Sequence, residues 1–291
     1  GAGAGAGADE ERGIEEVHIG LEGPIVAFVS LNRQLVENDN PAVALSYTGF
    51  AVGICIALSG SRTPPTPVDD DDALESFGTV CAWAGVGVVL MCLSAIVNTR
   101  IVLFRHLARQ QLLSGNTVTG LVEGSGFIAA AMVVRATLSG DLDIPEWEQF
   151  FTMGLYFVLG QICLVLSAIV LQLITPYDDQ KEARAGNFAA GIKFAGNFIA
   201  SGLIVSSPLL KSDSLAAFGI YFGIAFVLLV ALRWLVTKVI LPLPRGRTVD
   251  DEISEDKNWG LALCEASITI AVAFILDSIM PEQPCPTATT A

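Results

Sequence analysis

Two glutamates at a shared depth inside apolar segments are the residues of this 291-residue chain that could most readily do chemistry. Glu123 and Glu265 each lie seven residues after an asparagine that precedes an apolar stretch. At 1.5 Å per residue, that places both carboxyl groups about 10 Å into a helix. An ionisable side chain at such a depth in a membrane is costly and indicates function. Together with Lys193 and Asn197, which lie near that depth, they form a candidate intramembrane polar or ion site.

This candidate site has two interpretations. If four helical units surround a common axis, the two carboxylates face each other across it and form a cation or proton site. Alternatively, each glutamate bonds to a neighbouring helix or to a Lys or Arg and only fixes the packing. Lys193 then pairs with either glutamate or extends towards the membrane surface. An interhelical hydrogen bond explains Asn197 more simply than a ligand does.

Other chemistry finds little support in the residue patterns. The chain has no nucleotide-binding loop, no His-Glu-x-x-His pair and no nucleophile elbow, so no enzyme is predicted. Its six cysteines lack metal-ligand spacing, and no metal or cofactor is predicted, although a pigment remains an option if the chain is part of a photosynthetic complex. The net charge of −14 argues against nucleic-acid binding.

The composition indicates the elements that must position these side chains. Apolar types make up 52% and charged types only 16% of the chain, whereas soluble domains carry about 25% charged residues. A membrane-spanning helix needs roughly 20 mainly apolar residues. Seven stretches qualify, namely 41–60, 77–97, 117–139, 149–174, 188–210, 214–241 and 259–279. The sequence therefore predicts an all-α, polytopic membrane helical bundle with seven transmembrane helices.

The basic residues predict how this bundle is oriented. Outside the spans or near their ends, twelve Lys and Arg residues fall on the side of the N-terminus, against Arg62 and Lys211 on the other. Such a bias marks the cytoplasmic, stromal or matrix side and puts the C-terminus opposite. Several of these residues are candidates for lipid headgroup contact, namely Arg100, Arg105, Arg109, Arg245 and Arg247.

The two ends of the chain differ from the spans. Residues 1–13 form a Gly/Ala-rich arm that we expect to be flexible. The first residue is not Met, which suggests a removed presequence and hence an organelle inner or thylakoid membrane. A trimmed chain would look the same, and a bacterial inner membrane is the alternative. Residues 14–36 have too short an apolar core to span and predict an interfacial helix, and 281–291 are a tail.

An internal repeat organises the spans. Asparagines at 40, 116, 187 and 258, spaced by 76, 71 and 71 residues, stand at the entrances of alternate spans, and small residues follow nine and thirteen positions later. Leu93-Ser94-Ala95-Ile96-Val97 also recurs at 166–170. The predicted units are 37–62, which is partial, then 77–139, 148–210 and 214–280. Two spans per unit make them parallel repeats, and we predict that Asn40, Asn116, Asn187 and Asn258 cap their helices.

The segment Gly186-Asn187-Phe188-Ala189-Ala190-Gly191-Ile192-Lys193-Phe194-Ala195-Gly196-Asn197-Phe198-Ile199-Ala200, with Thr175-Pro176-Tyr177-Asp178 upstream, resembles domain-of-unknown-function family 350. Bacterial members of this family are small inner-membrane proteins with two helices per copy. The resemblance covers most of residues 37–280 as four copies, of which the first, with Pro41 after its asparagine, departs most. It implies a membrane location and no activity.

The function predicted from these patterns is that of a multi-pass membrane protein without catalysis. A structural or accessory subunit, which packs against membrane lipids, other membrane-protein subunits or itself, fits the small-residue faces and the scarcity of ionisable groups in the spans. The alternative is an ion or proton channel or transporter that uses Glu123 and Glu265.

Overall fold

The computed structural model describes residues 31–60, 73–103, 108–139, 146–212, 214–240 and 246–280. Within these ranges the chain is helical and contains no strand. The helices in chain order are α1 (Pro41–Leu58), α2 (Ala73–Val97), α3 (Ala108–Leu113), α4 (Thr117–Leu138), α5 (Glu146–Ile174), α6 (Asp179–Arg184), α7 (Phe188–Lys211), α8 (Leu215–Ile240), α9 (Val249–Ser254) and α10 (Trp259–Ile279). Two π-helical turns, Arg33–Glu37 and Asn98–Val102, complete the described elements.

Seven of the described helices are long and apolar enough to cross a membrane: α1, α2, α4, α5, α7, α8 and α10. The predicted all-α polytopic bundle with seven spans is therefore confirmed. Of the predicted interfacial helix only the last residues are described, and Arg33–Glu37 form a π-helical turn there. The Gly/Ala-rich arm, Arg105, Arg245 and the tail lie outside the described residues.

Four of the long helices form a central row. Helix α1 packs on α4, α4 on α7, and α7 on α10, while α2, α5 and α8 each lie along the groove between two successive members of the row. The middle helices α4 and α7 form the core. In each of them 78% of the residues in the apolar stretch are buried, against 17% in α8 and 22% in α1. The helices around this core therefore expose broad apolar faces, as membrane-embedded helices do.

Small residues let the helices of the central row approach closely. A Cβ placed on Gly49 of α1 would lie 2.3 Å from Cα of Gly124 on α4. A Cβ on Gly196 of α7 would lie 2.5 Å from Cβ of Ala266 on α10. Because association in lipid depends on van der Waals packing rather than on the hydrophobic effect, such backbone contacts hold the row together.

Each repeat asparagine caps the central helix that follows it. The side-chain Oδ1 atoms accept from backbone N–H groups two or three residues on, those of Ala42 and Val43 for Asn40, Val118 and Thr119 for Asn116, Ala190 for Asn187, and Leu261 for Asn258. The residue before each asparagine has a left-handed backbone, with φ of 45° at Asp39, 82° at Gly115, 75° at Gly186 and 53° at Lys257. The turn that ends each short helical segment therefore leads directly into an N-cap.

The first three asparagines also bind the next repeat. Their Nδ2 groups donate to a carbonyl in the short helix of the following unit, at 2.9 Å from Asn40 to Leu112, 2.9 Å from Asn116 to Ala183 and 3.0 Å from Asn187 to Ile253. We call this contact the asparagine clamp. Because each clamp joins the capped end of one central helix to that of the next, all four asparagines lie at the same end of the bundle.

Candidate functional site

A cluster of four charged side chains lies in the second half of the chain, near the asparagine end of the bundle. Lys193 of α7 and Arg233 of α8 meet Glu265 of α10 and Asp250 of α9. We call these four residues the charged cluster. Lys193 is 1% exposed and Glu265 is 4% exposed, so both charges are buried within the protein.

The ion pairs of the charged cluster run through both cations. Lys193 Nζ donates to Asp250 Oδ1 and lies 3.9 Å from Glu265 Oε1. Arg233 donates to the same Glu265 oxygen. The other oxygen, Glu265 Oε2, is buried and has no hydrogen-bond partner among the described residues. A buried carboxylate needs such partners, because taking a lone charge out of water costs several kcal/mol.

Local sequence places three of the four members of the charged cluster. Lys193 and Glu265 stand six and seven residues after Asn187 and Asn258, on the facing sides of adjacent row helices. Asp250 is held by the first turn of α9, which starts with a capping box between Thr248 and Asp251. The hydrogen bonds from Thr248 lower the pKa of the Asp251 carboxyl.

Two further polar residues lie beside the charged cluster: Tyr177 in the turn before α6, and Asp179 at the first position of α6. Lys193 Nζ sits 4.9 Å from the centroid of the Tyr177 ring, within cation–π range. Asp179 is 2% exposed, and neither of its carboxylate oxygens has a hydrogen-bond partner among the described residues. Burial raises the pKa of Asp179 to about 7, and the nearby charges of Lys193 and Arg233 offset only part of that rise. Burial also raises the pKa of Tyr177.

A cleft of about 1020 Å³ leads to the charged cluster. The end of α5 and the loop after it form one wall, α8 forms another, and residues 246–250 form the rim. All four residues of the charged cluster line it, together with Lys238 and Arg247. Arg247 is engaged by Glu252 at 3.0 Å and Asp256 at 2.6 Å, so its charge is tied to the acidic residues around α9.

Glu123, the other candidate carboxylate, lies in a separate contact in the first half. It is 6% exposed and accepts a hydrogen bond from Ser46 of α1. Ser46 stands six residues after Asn40, the position that Lys193 holds in α7. Each glutamate therefore contacts the preceding helix of the row at an equivalent position, and the row places α7 between Glu123 on α4 and Glu265 on α10. The structure does not bring the two glutamates together.

The remaining predicted site residues fall in two places. Asn197 is buried on α7, 4% exposed, and neither atom of its amide has a hydrogen-bond partner among the described residues. Arg100, in the π-helical turn Asn98–Val102, and Arg109, in α3, are exposed. Over the described part of the chain, no group of three or more His, Cys, Asp or Glu is arranged to hold a metal ion.

Sequence reasoning did not select Arg233, Asp250, Asp179 or Tyr177. Arg233 stands near the end of an apolar span and counts there with the surface charges, and Asp250 belongs to an acidic run that is typical of a solvent-facing segment. One signal was available: Thr248 followed by Asp251 is the start of a helix, so α9 and its first turn could have been placed.

Seven apolar helices in a row-and-groove bundle, with ionisable groups held inside, define a multi-pass integral membrane protein. The family described as Domain of Unknown Function (DUF350) matches residues 25–141 and 145–280, so the chain belongs to this family. The resemblance seen in the sequence is confirmed. Each matched segment holds two of the four repeat asparagines.

Two relatives extend the comparison. The chain is 21% identical over 262 residues to a "UPF0719 transmembrane protein" of Aquifex aeolicus (strain VF5), covering 86% of this chain and 90% of the relative. It is 21% identical over 131 residues to the "UPF0719 transmembrane protein YshE" of Bacillus subtilis (strain 168), covering 45% of this chain and 94% of that protein. No solved structure matches the chain.

Proposed function

We propose that the chain is a non-catalytic structural or accessory subunit of a larger membrane assembly or homo-oligomer, which packs against partner helices and lipids. The observation that carries this proposal is the way in which the two intramembrane carboxylates are used. Glu123 is occupied by Ser46, and Glu265 by Arg233 and Lys193, all within the protein. Buried groups that pair with one another in this manner fix helix positions and registers.

The outer surface supports the same proposal. Large apolar side chains are exposed along the outer helices, for example Val227 at 65% on α8, Leu173 at 78% on α5 and Val89 at 59% on α2. Lipid chains or partner helices are the surroundings that such faces require. We propose that the asparagine end, where the basic residues concentrate, faces the cytoplasm, stroma or matrix, in an organelle inner or thylakoid membrane or a bacterial inner membrane.

A proton or cation transporter is the second candidate function, and the cleft at the charged cluster favours it. The cleft reaches Lys193 and Glu265 from one end of the bundle. Three acidic groups, Asp179, Asp250 and Glu265, stand near two cations there, and three of their oxygens lack hydrogen-bond donors among the described residues. A surplus of buried acceptors is suited to holding a proton or a cation.

A flux assay separates the two functions. Purified protein in liposomes is compared with the double variant Glu123→Gln/Glu265→Gln and with Glu255→Gln, whose carboxylate is exposed. We expect proton and cation fluxes equal to those of protein-free liposomes for all three proteins, and recovery of the natural protein in a stoichiometric assembly. A flux that the natural protein and Glu255→Gln share, and that the double variant loses, would contradict the structural role.

A further inference from the structure

The three contacts within the central row use the same two helix faces each time. Counting from the repeat asparagine, positions +2, +6, +9 and +13 of one helix meet positions +4, +8, +11 and +15 of the next. We call the first set the leading face and the second the trailing face. A Cβ on Gly120 (+4 on α4) would meet Ala42 (+2 on α1), and one on Gly202 (+15 on α7) would meet Ala129 (+13 on α4). The interface is therefore a repeating one.

Burial follows this pattern in every contact inside the chain. The leading faces of α1, α4 and α7 are fully buried, as are the trailing faces of α4, α7 and α10. These trailing faces comprise Gly120, Gly124, Phe127 and Ala131 on α4, then Gly191, Ala195, Phe198 and Gly202 on α7, and Ala262, Ala266, Thr269 and Ala273 on α10. A helix of this row therefore contacts the next row helix through its leading face and the preceding one through its trailing face.

The two outermost faces of the row carry small residues at the same positions but are not covered by a row helix. The leading face of α10 consists of Gly260, Cys264, Ser267 and Ala271, of which the last three are exposed. The trailing face of α1 consists of Ala44, Thr48, Ala51 and Cys55, of which the last three are exposed. These eight small residues lie at the two opposite ends of the row, four at each end. One set corresponds to a leading face and the other to a trailing face, the two surfaces that meet three times inside the row.

The asparagine clamp is incomplete at the same end. Asn258 is exposed, and among the described residues its Nδ2 group has no carbonyl like those that Asn40, Asn116 and Asn187 hold. In each of those three clamps, the accepting carbonyl belongs to the residue that follows a Gln or Glu. That Gln or Glu is hydrogen-bonded to the asparagine of its own repeat, through its side chain or its backbone carbonyl. In the first repeat that Gln is Gln34, which accepts from Asn40, and the next carbonyl is that of Leu35. The first repeat therefore carries the acceptor that Asn258 lacks.

We propose that a second copy of this chain docks head to tail, with the leading face of α10 on the trailing face of the partner's α1 and with Asn258 clamped to the Leu35 carbonyl of that copy. The contact is heterologous, so it generates rings where the rotation closes and longer rows where it does not. This inference names the partner within the proposed structural function and therefore rests on it.

Disulfide cross-linking in membranes tests the pairing. In the row, position +9 meets position +8 at Gly49 and Gly124 and again at Gly196 and Ala266, so Ser267 of one copy should meet Thr48 of the next. A cysteine-free chain carrying Ser267→Cys is co-expressed with a differently tagged one carrying Thr48→Cys. We expect a cross-linked pair of the two tags, and at least tenfold less of it when Val227→Cys on the outer helix α8 replaces Ser267→Cys.

Three other results of the cross-linking would contradict this pairing. If two chains that carry the same substitution cross-link to each other, and the two different variants do not, the contact is symmetric and the head-to-tail pairing is overturned. A yield of the Ser267→Cys/Thr48→Cys pair no higher than that of the Val227→Cys control would also overturn it. A Thr48→Cys link to Phe28→Cys in the same chain would put the chain's own N-terminal residues on α1. Since flux decides the proposed function and cross-linking decides the partner, failure of this pairing leaves the structural role intact with another occupant.

A variant that keeps the natural cysteines tests the clamp by self-association, independently of cross-linking. Asn258→Asp keeps a side-chain oxygen that caps α10 and replaces the Nδ2 donor with a charged oxygen that can only accept. We expect roughly fivefold weaker self-association in detergent, the value of about one hydrogen bond, with unchanged helix content. Self-association equal to that of the natural chain would mean that Asn258 makes no clamp between copies.

Discussion

Gly120→Val is expected to prevent α1 from packing on α4. A Cβ at Gly120 would lie 2.1 Å from the carbonyl oxygen of Ala42 and 2.8 Å from its Cα, and backbone atoms in two helices cannot move aside as a flexible side chain does. Overpacking in a dense interior costs about 1–3 kcal/mol even where neighbours adjust, so we expect a loss of more than about 3 kcal/mol here. Thermal unfolding in detergent and protease resistance measure it.

Gly154→Val on α5 is the matched control for this steric effect. No atom lies within 4 Å of a Cβ placed on Gly154, so the same substitution should change stability by less than about 0.5 kcal/mol. Equal melting of the two variants would show that the contact between α1 and α4 is looser than the structure has it.

Lys193→Met is expected to cause the second large loss of stability. The substitution keeps the length of the side chain but removes the cation from between Asp250 and Glu265. Breaking a buried ion pair by removing one partner costs about 3–5 kcal/mol when the remaining charge is left without a partner. Here Asp250 loses its partner while Glu265 keeps Arg233, so we expect a loss of about 3 kcal/mol, at the lower end of that range. The midpoint of thermal or denaturant unfolding should fall accordingly, and Lys193→Met/Asp250→Asn should recover part of the loss.

The opposite end of the same helix supplies the control. Lys211 pairs with Asp277 at 3.2 Å, but the two side chains are 17% and 37% exposed. Solvent screening limits pairs near the surface to about 0–1 kcal/mol, so Lys211→Met should cost far less than Lys193→Met. Similar losses for both variants would contradict the account of a buried cluster.

The sequence was informative wherever the controlling interaction is local. Spans depend on the cost of putting polar groups into lipid, which a run of apolar residues reports directly. An N-cap depends on one residue and the next three, so the sequence alone suffices to place Asn187 and its counterparts at helix starts. The depth of Glu123 and Glu265 followed from counting residues.

Lateral relations between helices were not accessible in that way. Counting gives depth but not which helix stands next to which, so the sequence left open whether Glu123 faces Glu265; in the row, α7 lies between their helices. Asp250 reaches Lys193 from 57 residues away, and Arg233 reaches Glu265 from 32 residues away. The clamp was hidden from the sequence for the same reason, since the Nδ2 partner of each of the first three asparagines is a backbone carbonyl 66 to 72 residues further on.

Labelling of single cysteines from each side of the membrane tests the central claim, that four repeats insert in one direction and form one row. Exposed positions beside the four asparagines are replaced one at a time in a cysteine-free chain, as Glu37→Cys, Ser114→Cys, Ala185→Cys and Asp256→Cys. Ser59→Cys and Ser139→Cys mark the other end of the bundle. The account predicts that an impermeant maleimide reaches the first four from one face only and the last two from the opposite face. A division of the first four between the two faces would contradict it.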